Sequence, residues 1–509
     1  MSKGFLIKKA TIYDGTGNKP FISDVLVEGS IIKKMSLNIE NDKFNLINGE
    51  GFALCPGIID THSHSDLEIF RNKDMMHVIR QGITTEVTGQ DGSSVAPLYD
   101  NLVEELADNM APLAGVINKP YWWRSTKDYI DEVNKSGAAP RHVTLAGHGT
   151  IRMCVMGNDN RKPTEKEMQE IRNLTAKCME EGAKGVSFGL IYPPGSYADT
   201  EELLEVAKVV AKYDGIIMVH TRNEQDKLLE SLDEMIYIMK ESKVRMHISH
   251  LKALGYRNWG KVGLALEKIT SLREEGYDIT FDQYPYTAAC TGLKVIVPMW
   301  AYDGGEKEFQ NRLNDPAEYK KILDGVNKNI EARGGTEKIF IATVSSKENS
   351  WMSGNDLKFI SEKMDLEPGV AVLKILQIEG PSVVAIYFSI SEDDVNLIMK
   401  SPIQGICTDG IIGTHPHPRA YASFPRLFGY YSRKLKLMTL EEAIRKVTSE
   451  PARRLRLWDR GLIREGLSAD LLLFDVEKIG DRNTYLNPKE YPEGIKYVWV
   501  EGKLKFKED

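Results

Sequence analysis

Residues 57–66 read GIIDTHSHSD, a short apolar run of β character that empties through Asp60 into His62 and His64. In an extended chain residues i and i+2 face the same side, so both imidazoles reach one cation, and Asp60 and Asp66 share that face. A strand delivering paired histidines from its end is the layout of a catalytic α/β barrel, whose chemistry sits at the C-terminal strand ends. The layout recurs outward along the chain. ALCPGIID, GITTEVTG, HVTLAGHG, AKGVSFGL, GIIMVHT, VRMHISH, DITFDQYPY and IQGICTDG are each apolar runs set among helical periods, which predicts an α/β fold with a (β/α)8 TIM-like barrel over 56–455.

The ends read differently. FLIKKATIYDG, DVLVEGSIIKKM and FNLINGEGFAL at the start, and GLIREGLSADLLLFDVE and YVWVEGKLKFKE at the finish, are β segments parted by Gly, Asn and Asp turns. Neither end has the apolar surface to close a core alone, so 1–55 and 456–509 are expected to share one small β-sandwich domain. A charged insertion at about 295–350 is too long for a simple strand-to-helix loop, and a lid and a plain surface excursion both fit it.

The composition narrows the function. A 509-residue chain with 42% hydrophobic and 27% charged residues is an ordinary globular protein. Its formal net charge of -7 gives no global pull toward nucleic acid, which leaves a small molecule as the expected partner. The start lacks the apolar core of a signal peptide and no stretch reaches the length of a membrane span, so a cytoplasmic location without a membrane partner is expected. Cys55, Cys154, Cys178, Cys290 and Cys407 are scattered without CxxC spacing and read mostly as buried thiols.

Two further histidines, His220 in GIIMVHTRNE and His250 in VRMHISHLK, end two further apolar runs. One such histidine is ordinarily a hydrogen-bonded core residue; four at three strand ends point to a metal. His247 stands an odd step from His250 and is read as structural. Asp409, in IQGICTDG, has the usual reading of a cap or turn residue, yet beside those histidines it can close the site as ligand and proton carrier.

PGIIDTHSHSD, GITTEVTGQDG, AGHGT, GVSFGLIYPPGSYADTEEL, VHTRNE, ISHLKALGYRNWGK, DQYPYTAACT, TDG with HPHPRAYASFPRLFG, and TSEPARRLRLWDRGLIREGLSADLLLFD follow one another in order. In this ordered set the chain resembles the amidohydrolase superfamily and, within it, the D-aminoacylase (N-acyl-D-amino-acid deacylase) family, nearly end to end. The resemblance implies the two-part architecture and the metal residues His62, His64, His220, His250 and Asp409. The family has a cysteine in an NCG turn where this chain has Gln90-Asp91-Gly92; Asp91 can stand in as an anionic ligand, and a carboxylated Lys184 is the alternative, ranked second because Ser187 falls nearer the place of the bridging lysine in related barrels.

The resemblance also implies Lys252, Tyr284 and Arg419 as the holders of a substrate carboxylate, a task that needs fixed cationic donors. Tyr192 and His417 lie in the same motifs without an assigned role. The expected enzyme is a hydrolase with one or two divalent ions, Zn2+ first, in which a metal-activated water opens the amide of an N-acyl-D-amino acid and Asp409 shuttles the proton. A cyclic-amide hydrolase of the dihydroorotase or hydantoinase kind and a non-catalytic amidohydrolase-like scaffold are the alternatives. The oligomeric state is not legible.

Overall fold

The computed structural model describes residues 4–40, 43–115 and 123–508. The turn-punctuated start forms β1 (Gly4–Ile12), β2 (Phe21–Glu28), β3 (Ile31–Ser36), β4 (Asn45–Asn48) and β5 (Ala53–Pro56). β1 pairs antiparallel with β2 and β2 with β3, while β4 and β5 lie parallel to β1.

From Ile58 onward strands alternate with helices. β6 (Ile58–Asp60), β7 (Ile83–Thr88) and β8 (Arg141–Thr144) make a parallel sheet. A second parallel sheet holds β9 (Ala146–Gly147), β10 (Gly185–Gly189), β11 (Ile216–His220), β12 (Arg245–Ile248) and β13 (Ile279–Gln283) in chain order. Parallel neighbours require a crossover, and helices supply it. The helix Thr200–Lys212 is typical: Asp199 caps its first turn, and Leu203, Val206, Ala207 and Val210 recur at helical spacing on its buried face.

Between β13 and the last parallel strand the chain makes an excursion with a sheet of its own: β14 (Ala289–Gly292), β15 (Ile339–Thr343), β16 (Asn355–Asp356) and β17 (Val384–Tyr387), with helices between them. The excursion is longer than the 295–350 read from the sequence. Its strands pair antiparallel across up to 98 residues, from Ala289 to Tyr387, and such non-local pairing leaves no local signal. β18 (Gln404–Ile406) then joins β13 in parallel. Leu145 N–H donates to Thr88 O, and at the other side Asp409 N–H donates to His62 O beside a parallel bridge from Ser63 to Gly410.

β19 (Leu471–Phe474), β20 (Ile495–Val500) and β21 (Lys503–Lys507) complete the chain, and β19 lies antiparallel to β5. Both termini therefore share one sheet, ordered β21-β20-β19-β5-β1-β2-β3 with β4 on β1, around a core that includes Ile7, Val25, Leu471, Leu473 and Trp499. The whole is a mixed α/β fold. The five cysteines are free thiols, four of them buried, and no helix among the described residues is long and apolar enough to cross a membrane.

Candidate metal centre and active site

The end of β6 delivers His62 and His64, the end of β11 delivers His220, and His250 follows β12 by two residues. All four ring systems converge on one carboxylate. Asp91 Oδ1 lies 3.4 Å from His62 Nε2, 3.7 Å from His220 Nδ1 and 3.5 Å from His250 Nε2; Asp91 Oδ2 lies 3.7 Å from His64 Nε2. Asp409, past β18, closes the other side with Oδ1 3.1 Å from His64 Nε2 and 3.8 Å from His62 Nε2. The ligand atoms fall into two groups, His62-His64-Asp91-Asp409 and Asp91-His220-His250, with Asp91 common to both.

The loop that presents Asp91 is held from below. Ser187 on β10 donates to Gly89 O and accepts from Gly92 N–H. Gly189 leaves room for it: a Cβ there would stand 1.8 Å from Asp91 O. Lys184, by contrast, is exposed one residue before β10, at the opposite end of the strand from His220's level, and is not in the cluster. His250 does not obey strand alternation, because β12 stops at Ile248 and His250 has φ 39. His247 stays on the strand, with Nδ1 2.8 Å from Thr280 Oγ1 and Nε2 3.0 Å from Asp282 Oδ2.

The donor set suits a divalent cation. Both ring nitrogens of His62 and of His220, and Asp91 Oδ1, are buried without a hydrogen-bond partner among the described residues. An orphaned buried polar group costs about 1–3 kcal/mol, so so many at one point call for a positive species between them. Imidazole and carboxylate together are the ligands of zinc and its neighbours.

Glu224 carries no expectation from the sequence. It stands four residues after His220, fully inside the site, with Oε2 3.6 Å from His220 Nε2 and Oε1 3.3 Å from His250 Nδ1. A carboxylate behind a metal-binding imidazole fixes its orientation and raises its basicity. Burial pushes the Glu224 carboxyl up, but Lys252, His220 and His250 outweigh it and hold it down to about 2, so it stays ionised. Its place in VHTRNE was the only sequence signal.

Lys252, Tyr284 and Arg419 also come together. The Tyr284 ring lies under the Arg419 guanidinium at 4.4 Å and 5.5 Å from Lys252 Nζ. Both cations already have an anionic neighbour: Lys252 Nζ donates to Glu224 Oε1 at 2.5 Å, and Arg419 Nη1 lies 2.9 Å from Asp409 Oδ2. A charge this deeply buried needs a partner in the folded protein itself. Among the described residues Arg419 Nε and Nη1 have no hydrogen-bond acceptor, Nη1 meeting Asp409 as an ion pair, and the Tyr284 hydroxyl has no hydrogen-bond partner.

His64, Asp91, His220, His250, Tyr284 and Asp409 face a cavity of about 310 Å3. Lys252 faces it too; Arg419 is fully buried behind Asp409 and Tyr284. Tyr192 sets its ring edge against His220 and its hydroxyl 2.9 Å from Thr291 Oγ1. His417 Nδ1 accepts the Arg419 N–H, while its Nε2 lies 3.0 Å from Ala288 O and 3.3 Å from the Tyr485 hydroxyl.

The chain matches the family model described as "Amidohydrolase family" over residues 53–285 and a second model of the same description over 382–506. It is 32% identical to a D-aminoacylase of Alcaligenes xylosoxydans xylosoxydans, covering 98% of this chain and 93% of that protein. It is 30% identical to an N-acyl-D-aspartate deacylase of the same organism, over 98% and 91%. Among solved structures, an N-acyl-D-glutamate deacylase from Bordetella bronchiseptica, complexed with zinc and a phosphonate mimic of the tetrahedral intermediate, superposes with a TM-score of 0.85 at 28% identity, over 99% of this chain and 97% of the other.

Proposed function

The chain belongs to the amidohydrolase family, within its D-aminoacylase branch, and on that premise we propose that it is a metal-dependent hydrolase cleaving N-acyl-D-amino acids to a carboxylate and a free D-amino acid. The observation that carries the reading is Asp91, one buried carboxylate within 3.4–3.7 Å of four histidines at the floor of the cavity. One or two divalent ions, zinc first, would be held by His62, His64, Asp91, His220, His250 and Asp409, and they supply the Lewis acidity that makes water nucleophilic near neutral pH and polarises the acyl carbonyl.

The remaining chemistry belongs to the side chains. Asp409 takes the proton of the attacking water and delivers it to the leaving nitrogen; its contact with Arg419 keeps the carboxylate aimed. Tyr284 and Lys252 line the wall where a substrate carboxylate docks, and Arg419 adds positive charge from behind the tyrosine ring. Glu224 holds His220 and His250 in orientation. A D-centre fixed by carboxylate, side chain and carbonyl presents its side chain to the cavity, and inversion drives it into the wall.

The same proposal takes the two parallel sheets as one (β/α)8 barrel over 56–455, β8 and β9 being one strand interrupted at Leu145. It takes the terminal sheet, residues 1–55 and 456–509, as a β-sandwich. Support comes from the Leu145–Thr88 and Asp409–His62 hydrogen bonds at the two seams, and from the bridge between Ile31, at the start of the edge strand β3, and Ser468, just before β19.

The test is a metal analysis of the purified protein followed by amine release from N-acetyl-D- and N-acetyl-L-amino acids, with dihydroorotate and a hydantoin alongside. Bound divalent metal and a preference for the D series are expected. Faster turnover of a cyclic amide than of any N-acyl-D-amino acid would replace this reading with the cyclic-amide one.

A further inference from the structure

Asp282, on β13, takes no part in the chemistry above and does not face the cavity, yet it touches two of the strand ends that carry histidines. Its Oδ1 accepts the backbone N–H of His250 at 2.6 Å, and its Oδ2 accepts the hydroxyl of Thr61, the residue before His62. His247 Nε2 stands 3.0 Å from the same Oδ2, and Thr280 Oγ1 holds the far nitrogen of that imidazole at 2.8 Å. The carboxylate is wholly buried. The main chain of the same residue adds one more tie, Leu251 N–H to Asp282 O at 2.9 Å.

These contacts fall just past the ends of two strands. β12 ends at Ile248, so His250 lies beyond the sheet's hydrogen bonds, and its φ of 39 is a left-handed backbone that a residue with a Cβ adopts only when its surroundings impose it. A hydrogen bond from an amide to a carboxylate is the strong, short kind and can hold that conformation. On the other flank, β6 ends at Asp60, and the two residues after it carry Thr61 and His62 out of the sheet. One buried anion therefore links two strand ends that are otherwise each tied to their own neighbours, Ser249 N–H to Val219 O on one side and Ser63 N–H to Val87 O on the other.

We propose that Asp282 is a positioning residue, which fixes the His62 and His250 strand ends relative to one another and so sets the spacing of the two ligand groups that meet at Asp91. His247 stands below it, its imidazole Nε2 3.0 Å from the oxygen that takes the Thr61 hydroxyl. The structural role that spacing alone assigned to His247 is thereby given a purpose. The inference rests on the metal-centre reading, because spacing between histidines matters to function only if they share cations. Partners one step behind metal ligands characteristically change affinity by 10–100-fold when removed.

The experiment uses the full chain freed of metal by a chelator and then titrated with Co2+ alone. Wild type, Asp282→Asn and Thr61→Val are compared by far-UV circular dichroism, by Co2+ dissociation constant in chelator competition, and by the visible absorption of the bound Co2+. Asp282→Asn keeps one oxygen for His250 but loses the charge; Thr61→Val removes only the hydroxyl. The expected result is a folded variant whose Co2+ affinity falls about 10–100-fold, with a shifted visible band. A folded Asp282→Asn protein with wild-type affinity and an unchanged band overturns the inference. Should Asp282→Asn fail to fold, Thr61→Val decides in the same way. Wild-type protein that binds no Co2+ at all would instead bring down the metal-centre reading beneath it.

Discussion

Asp91, His250 and Asp409 have φ values of 55, 39 and 47, left-handed backbone at residues that carry a Cβ. Such a conformation costs of order 1–3 kcal/mol and persists where the surroundings impose it. All three lie just past strand ends and point carboxylate or imidazole into the same cavity. Asp409 also carries a sharp expectation of its own. Asp409→Asn keeps size and hydrogen bonding but cannot act as a base, so turnover should fall by roughly two or more orders of magnitude while metal content, measured by elemental analysis, stays near wild type. Near-normal turnover of a metal-loaded mutant would take Asp409 out of the mechanism. At this scale the sequence is informative where residue type recurs: four histidines stand at the ends of three apolar runs, and Asp409 draws its reading only from standing beside them. Glu224 and Asp282 did not, because an acidic residue in a loop or strand carries no mark of burial until its partners are known.

At the scale of elements, the loop after β7 depends on β10 more than on itself. Ser187 ties Gly89 and Gly92, and Gly189 lets the Asp91 carbonyl approach to a distance that a methyl group would fill. Gly189→Ala should therefore push Asp91 off the histidines and weaken metal binding by roughly tenfold or more, read by chelator competition. Gly263→Ala is the contrast: it sits in the helix Lys261–Glu274 with its nearest neighbour at an ordinary 3.8 Å, and should leave binding unchanged and stability level or slightly raised. Equal effects at both sites would show that the close approach at Gly189 is not what places Asp91. The alternation of strand and helix was legible here, since apolar periods of two and of three to four are local patterns. The excursion from β14 to β17 was only half legible, because its sheet is made by strands far apart in the chain.

At the scale of the molecule, the helix Ser449–Arg454 joins the parallel strands to the terminal sheet, and Glu450 is its electrostatic knot. Its carboxylate lies 2.6 Å from Arg453 Nη2, 3.2 Å from Arg445 Nη1 and 3.4 Å from Arg454 Nε, and Arg454 in turn donates to Ile403 O beside β18. Burial alone would raise the Glu450 carboxyl, but Arg454 first, then Arg453 and Arg445, bring it down to about 2. A folded-state pKa below the unfolded one means that the contribution is complete above about pH 4.5 and is lost as pH falls through about 2, below which both states are protonated. In urea unfolding, wild type should exceed Glu450→Gln by on the order of 2 kcal/mol at pH 7, and the gap should narrow below about pH 4.5. A gap that holds constant down to about pH 3 would mean that shape, not charge, is what Glu450 provides. The sequence by itself determined the alternation of elements, the β character of both termini, and the kinds of side chain that end each strand, because hydrophobic period and turn chemistry are properties of neighbouring residues. Only the tertiary structure decided that Asp91 lies in the cluster while Lys184 is exposed elsewhere, that Lys252 and Arg419 already have partners, and that Asp282 reaches two loops at once. The reason is distance along the chain: His64 and Asp409 meet at 3.1 Å across 345 residues, and no local pattern encodes a contact that exists only when the strands between have taken their places.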